Sequence, residues 1–191
     1  MEQNIFIFHQ ASRIGLTHSD LLRCVLSHAC GREKIEMPET PQTKAEVRDP
    51  VHILFGGNTA ERQVSLMTGT NVWLKLRKSA KFPPEPFLLD QQMNVWKLPY
   101  TYALNHTVEE IYENCGGASL RVDRIKRILA DIQKRLVYAP KSYNPSDDLP
   151  TKLTFDEFVA LSASKNAFVF LGLHGGEGEN GSIQGKLEKA N

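Results

Sequence analysis

No apolar run in this chain of 191 residues approaches the ~20 residues that span a bilayer. The opening Met1-Glu2-Gln3-Asn4 carries no cationic stretch, and Ile5-Phe6-Ile7-Phe8 is too short for a signal-peptide core. A membrane partner is therefore not expected. Net charge is also scarce, at +1, so no whole-molecule field steers the chain toward nucleic acid or anionic lipid. The basic residues Arg121, Arg124, Lys126, Arg127, Lys134 and Arg135 share their segment with Asp123 and Asp131. They read as a solvated helix face, and a nucleic-acid partner is not expected. Cysteine is sparse: Cys24, Cys30 and Cys115 form no paired framework, which points to reduced thiols in a cytoplasm. Cys24, His28 and Cys30 lack the fourth ligand and the spacing of a metal site. In a cytoplasmic protein the sequon Asn105-His106-Thr107 is a chance match. Repeats and low-complexity tracts are missing as well.

The composition is that of a soluble globular protein, with 41% hydrophobic and 24% charged residues, and the length fits one compact domain with an appendage. Residues 1–50 read as an amino-terminal extension and linker. Ile5–Phe8 suits a short strand, Ser19–Ala29 a helix capped by Thr17 or Ser19 and ended near Gly31, and the polar stretch with Pro38, Pro41 and Pro50 a linker. Val51–Phe55 is a buried strand running into Gly56-Gly57. Asn58 is placed to cap the next helix, with Glu61 completing a capping box, and Ala60, Val64, Met67 and Leu74 form its inward stripe to about Arg77. Pro86–Asp90 and Asn94–Leu98 suit strands, and Thr107–Asn114 and Val122–Leu136 helices. The second of these carries Val122, Ile125, Leu129, Ile132 and Leu136 on one face. After a loop over Tyr138–Pro150, Thr154 caps a helix bearing Phe155, Phe158, Val159 and Leu161. Ala167–Leu173 is apolar throughout, as in a strand buried on both faces of a parallel sheet. Ser182 opens a last helix. Two strand–glycine loop–helix units predict an α/β fold: a Rossmann-like open, mainly parallel sheet flanked by helices, with both loops at strand carboxyl ends.

Those loops carry the candidate chemistry. The first, Phe55 to Leu66, has glycines that admit close approach and a helix start that favours anions, but not the G-x-G-x-x-G dinucleotide fingerprint. Glu61 reads plainly as a helix-capping carboxylate; facing outward, it would receive a substrate ammonium. The second, His174 to Ser182, holds four glycines in nine residues, one histidine and the carboxylates Glu177 and Glu179. His174 is either a structural hydrogen-bonder or, beside carboxylates at a strand end, a functional group.

Val51 to Leu66 resembles the opening strand, turn and helix of D-alanine–D-alanine ligases, and Leu173 to Glu188 resembles the histidine-glycine segment of the same family, in the expected order. The likeness spans roughly residues 51–77 and 167–188, and little aligns between them. It implies an ATP-grasp enzyme whose amino-terminal, pre-ATP-grasp domain is residues 51–191. Such an enzyme activates one D-alanine as an acyl phosphate for attack by a second, in peptidoglycan precursor synthesis. The resemblance assigns catalytic and substrate-binding roles to Glu61, which holds the ammonium of the first D-alanine, and to His174, near that substrate's carboxylate; Glu179 supports the histidine. Ser65 receives no role. ATP and Mg2+ are expected to bind in a carboxy-terminal region beyond Asn191, so these residues alone are expected to be inactive. D-alanine is the expected partner, and a homodimer is a candidate assembly. Gln63 stands where glutamate is usual and Asn180 where aspartate is usual, which bears on substrate preference. A sister ligase using D-lactate or D-serine is the nearest alternative, and a non-catalytic Rossmann-like anion-binding module the more distant one.

Overall fold

The computed structural model describes residues 6–39, 48–79, 81–135 and 143–190. In chain order its elements are α1 (Phe6–Ser12), α2 (His18–Glu33), β1 (Val51–Gly56), α3 (Arg62–Leu76), β2 (Pro84–Leu89), β3 (Asn94–Lys97), α4 (Val108–Gly116), α5 (Ala118–Arg135), β4 (Thr151–Thr154), α6 (Phe155–Ser164), β5 (Phe168–Leu171) and α7 (Ser182–Glu188). Short 3-10 turns cover Tyr102–Leu104 and Gly176–Gly178. Two compact units result, one from Met1–Thr43 with Gly117–Leu149, the other from Lys44–Gly116 with Pro150–Asn191. No helix among the described residues is long and apolar enough to cross a membrane.

The first unit is helical among its described residues. The strand expected over Ile5–Phe8 is instead the start of α1; Ile5 itself lies outside the described residues. A lone strand would leave its backbone donors without a ladder, whereas the helix pairs them internally and buries His9, Ala11 and Ser12. Thr17 caps α2 in a full capping box with Asp20, and the helix runs past Gly31 to Glu33 before Lys34 turns left-handed. In α5, Leu129 is buried, with Val122, Ile125 and Ile132 half-buried on the expected face; Leu136 lies outside the described residues. So do positions 40–47 of the expected linker and 138–142 of the expected loop.

The second unit holds a five-stranded sheet of order β4-β3-β2-β1-β5. β1 pairs in parallel with β2 and with β5, while β3 lies antiparallel to both β2 and β4. Every strand except β3 therefore points the same way. This is the Rossmann-like, mainly parallel α/β sheet that the sequence predicts. β1 is buried along its whole length, and its alternation serves two faces. His52 and Leu54 face Phe87 and the α6 aromatics, in a core closed by Leu173 and by Ile183 of α7. Phe55 faces α3, where Gly69 comes so close that a Cβ would lie 2.5 Å from the ring.

That close approach corrects the expected stripe of α3. Its buried residues are Ser65, Leu66, Gly69, Thr70 and Trp73, whereas Val64 is 50% and Met67 66% exposed. The helix turns its small residues inward because the sheet is near, and two larger apolar ones point out. β5 also departs from expectation: Phe168 is 66% exposed and the rest of the strand only half-buried. It is the edge strand of the described sheet, so its apolar run is not covered on both faces. β4 follows directly after the expected loop over Tyr138–Pro150, in a stretch to which the sequence assigned no strand, and its last residue, Thr154, caps α6 in a capping box with Glu157.

Candidate functional site at two glycine loops

β1 and β5 run parallel as neighbours, so the turns after them open at the same end of the sheet. Gly56 and Gly57 both sit at φ 96, a backbone that L side chains rarely adopt. Gly57 N–H then donates to Leu89 O at 2.8 Å, and Gly56 N–H donates to the fully buried Ser65 hydroxyl at 2.7 Å. Ser65 thus locks the turn onto the first helical turn of α3. Its role is structural, and the sequence offered no signal for it beyond a hydroxyl nine positions after the glycine.

Asn58 does not cap α3. The helix begins at Arg62, with Glu61 at the cap position and no side-chain cap bond. The Thr59 hydroxyl accepts from Glu61 N–H at 3.3 Å and donates to His174 O at 2.8 Å. One threonine thereby ties the first loop to the second. The carboxylate of Glu61 is exposed, and no hydrogen bond or ion pair engages it among the described residues. The plain reading of Glu61 as a helix-capping carboxylate is overturned, because the helix starts at Arg62 and the Glu61 side chain makes no cap bond.

The second loop packs directly on the first. Gly175 has φ 70 and ψ 174, and a Cβ there would meet Glu61 Oε2 at 3.0 Å. Gly176 has φ 51, and a Cβ there would meet the Thr59 methyl at 3.0 Å. Glycine is required at both places for conformation and for space. Glu61 and His174, 113 positions apart (174 − 61), are thus brought to one surface by contacts on Thr59 and Gly175.

The ring of His174 is half-exposed. Its Nε2 lies 3.0 Å from Thr68 Oγ1, a partner that sequence reading passed over. Its Nδ1 lies 3.9 Å from Glu179 Oε1, which is beyond hydrogen-bond reach but close enough for the carboxylate's field to act. Asn180 accepts from Ser182 N–H through Oδ1 at 2.9 Å, and Gln184 Nε2 donates to Gly178 O at 2.9 Å, holding the loop to the start of α7.

Gln63 also has a definite place. Its Oε1 accepts from Val108 N–H at the start of α4, while its Nε2 donates to Glu109, which in turn takes Arg62 Nε at 2.6 Å. The Arg62 guanidinium, helped by the Gln63 amide, holds the Glu109 carboxyl below the usual carboxylate range despite some desolvation. A glutamate at position 63 would lose the donor and set two carboxylates together. Gln63 is matched to α4, and its amide contacts leave the candidate pocket to Glu61.

The family model for the D-ala D-ala ligase N-terminus matches residues 50–191. The chain belongs to that family. The match spans the residues between the two loops as well as the loops themselves, so the ligase amino-terminal domain includes stretches where sequence reading aligned little. Both loops lie within it, and Glu61, His174 and Glu179 stand at one end of its sheet. Among the described residues, no cluster of three or more His, Cys, Asp or Glu side chains could hold a metal ion. The second loop carries Glu177 and Glu179 and no Lys or Arg, so its charge repels polyphosphate rather than cradling it. These residues do not fit ATP and Mg2+.

Proposed function

We propose that this domain binds the first D-alanine of an ATP-dependent D-alanine–D-alanine ligase, holding the amino acid between its two glycine loops. The observation that carries this reading is Glu61. It is a carboxylate that no hydrogen bond or ion pair engages among the described residues, at the mouth of a glycine turn, over Gly175 and on the same surface as a half-exposed histidine. A zwitterion needs an anion for its ammonium and a donor for its carboxylate, and charge-assisted hydrogen bonds supply both. Glu61 takes the ammonium. With Nε2 of His174 held by Thr68, Nδ1 is the ring nitrogen that meets the substrate carboxylate, and Glu179 lies near that side of the ring.

Residues 51–191 act as the ligase amino-terminal domain in this reading, and residues 1–50 as an extension. This reading assigns ATP and Mg2+ to a carboxy-terminal region outside these residues. Acyl-phosphate formation, the second D-alanine and peptidoglycan precursor synthesis in the cytoplasm are part of the proposal.

The test is made in the full-length enzyme by following phosphate release from ATP, which is expected only when D-alanine is present. Glu61→Gln removes one charge-assisted hydrogen bond and should weaken the first D-alanine by about 1.5–3 kcal/mol, roughly ten- to a hundred-fold. An unchanged D-alanine dependence in that variant would return Glu61 to a surface residue.

A further inference from the structure

We propose that Thr68 is the positioning residue of the site, and that its hydroxyl selects the His174 tautomer carrying hydrogen on Nδ1. The inference rests on the substrate reading above, and it adds a residue that the family resemblance did not assign. Thr68 lies on α3, seven positions after Glu61, the residue at the helix's amino-terminal cap position. A helical threonine commonly returns its hydroxyl to a carbonyl four residues back. Thr68 instead reaches across 106 positions to His174 Nε2 at 3.0 Å, and its hydroxyl has no other partner among the described residues.

The rest of the surroundings decide the direction of that bond. A hydroxyl can donate or accept, so Nε2 alone leaves the tautomer open. Glu179 Oε1 stands 3.9 Å from Nδ1 on the other side of the ring, and a carboxylate favours hydrogen on the nitrogen that faces it. With hydrogen on Nδ1, the Nε2 lone pair accepts from Thr68 O–H, and the N–H lies in the field of the Glu179 carboxylate. The opposite tautomer would turn a lone pair toward Glu179. The arrangement presents an N–H to the substrate carboxylate, the group that an acceptor-only anion requires. Thr59 completes it by taking the main-chain oxygen of His174, so two threonines from the first loop and helix hold one histidine of the second loop.

The experiment uses Thr68→Val, which keeps the shape and removes the hydroxyl, and Thr68→Ser, which keeps the hydroxyl. Ring 15N signals of His174 are read in the 191-residue chain, with the methyl signals of Leu54 and Ile183 reporting that the core is intact. In the parent chain Nδ1 should give the protonated-type signal and Nε2 the unprotonated type. Thr68→Val should shift the population toward Nε2–H, the tautomer that free imidazole side chains prefer in water, and Thr68→Ser should restore it. In the full-length ligase Thr68→Val should raise KM for the first D-alanine roughly two- to ten-fold, the worth of one neutral hydrogen bond, with less effect on kcat. A parent chain with hydrogen on Nε2, or ring signals indifferent to Thr68→Val, overturns the proposal. So does an unchanged KM in Thr68→Val while His174→Ala loses D-alanine use. An unchanged KM in both variants overturns the substrate reading instead, and the ring signals then decide the tautomer proposal alone.

Discussion

Gly175 is confined both by its own backbone and by the Glu61 carboxylate beside it. Its φ of 70 and ψ of 174 fall in a region that is essentially glycine's alone, worth about 1–3 kcal/mol of strain to any other residue. A methyl group there would also press on Glu61 Oε2. Gly175→Ala is therefore expected to lose about 1–3 kcal/mol of stability, read from a denaturant midpoint. It should also displace the Glu61 carboxylate and weaken D-alanine in the full-length enzyme. A variant as stable as the parent would show that the loop has another conformation within easy reach. Cys115, by contrast, is chemically quiet: burial pushes its thiol up to about 12, and the thiolate that reacts is absent near neutral pH.

Among the elements, the β2–β3 hairpin depends on one side chain. Asp90 is 2% exposed. Its Oδ1 accepts from Gln92 N–H at 2.9 Å and Asn94 N–H at 2.8 Å, and its Oδ2 accepts from Trp96 Nε1 at 3.1 Å. It replaces the ladder at the turn, where Met93 takes a φ of 63. Asp90→Ala would leave these donors without acceptors and should cost about 2–4 kcal/mol in chemical denaturation, given ~1–3 kcal/mol for each stranded buried donor. A loss below ~1 kcal/mol would mean that water replaces the carboxylate freely. The cap of α6 at Thr154 was legible in sequence, and for α2 Thr17 was one of two residues offered; both close full capping boxes, with Glu157 and Asp20. The capping-box spacing at Asn58 and Glu61 misled, since the helix starts only at Arg62.

At the scale of the whole molecule, acid sensitivity should come from the far end of β1. His52 is fully buried, with Nδ1 2.9 Å from Ser162 Oγ and Nε2 3.2 Å from Glu85 Oε2. Ser162 also donates to Phe158 O at 2.9 Å. Lys97 and Lys165 reach the same Glu85 carboxylate at 3.0 and 3.1 Å. The His52 ring first, and then the two ammonium groups, hold the Glu85 carboxyl well below its ordinary 4.5 against a burial that would raise it. A carboxyl depressed in the folded state binds fewer protons folded than unfolded. Its contribution is present above about pH 4.5 and is lost as pH falls below that value. Denaturant midpoints should therefore drop between about pH 4.5 and pH 3, and Glu85→Gln should lower the midpoint at neutral pH and flatten that drop. Equal pH slopes in both proteins would remove Glu85 from the account.

The sequence by itself determined which segments became the central strands and where the two loops fell. The apolar run Val51–Phe55, followed at once by two glycines, reads as a strand ending in a turn, and it is one. It also located Glu61, His174 and Glu179, because long motifs around them carry the family likeness. What only the tertiary structure decided was the company those residues keep. Thr59 and Thr68 look like ordinary polar residues around the start of a helix, and nothing in their spacing names a partner more than a hundred positions away. The inward face of α3 was likewise set by Gly69 meeting Phe55, and the exposure of Phe168 by its strand's place at the edge of the described sheet. Local pattern records what a residue can do with its neighbours in the chain. Contacts between distant segments depend on where the sheet brings them, and that is settled only when the whole core packs.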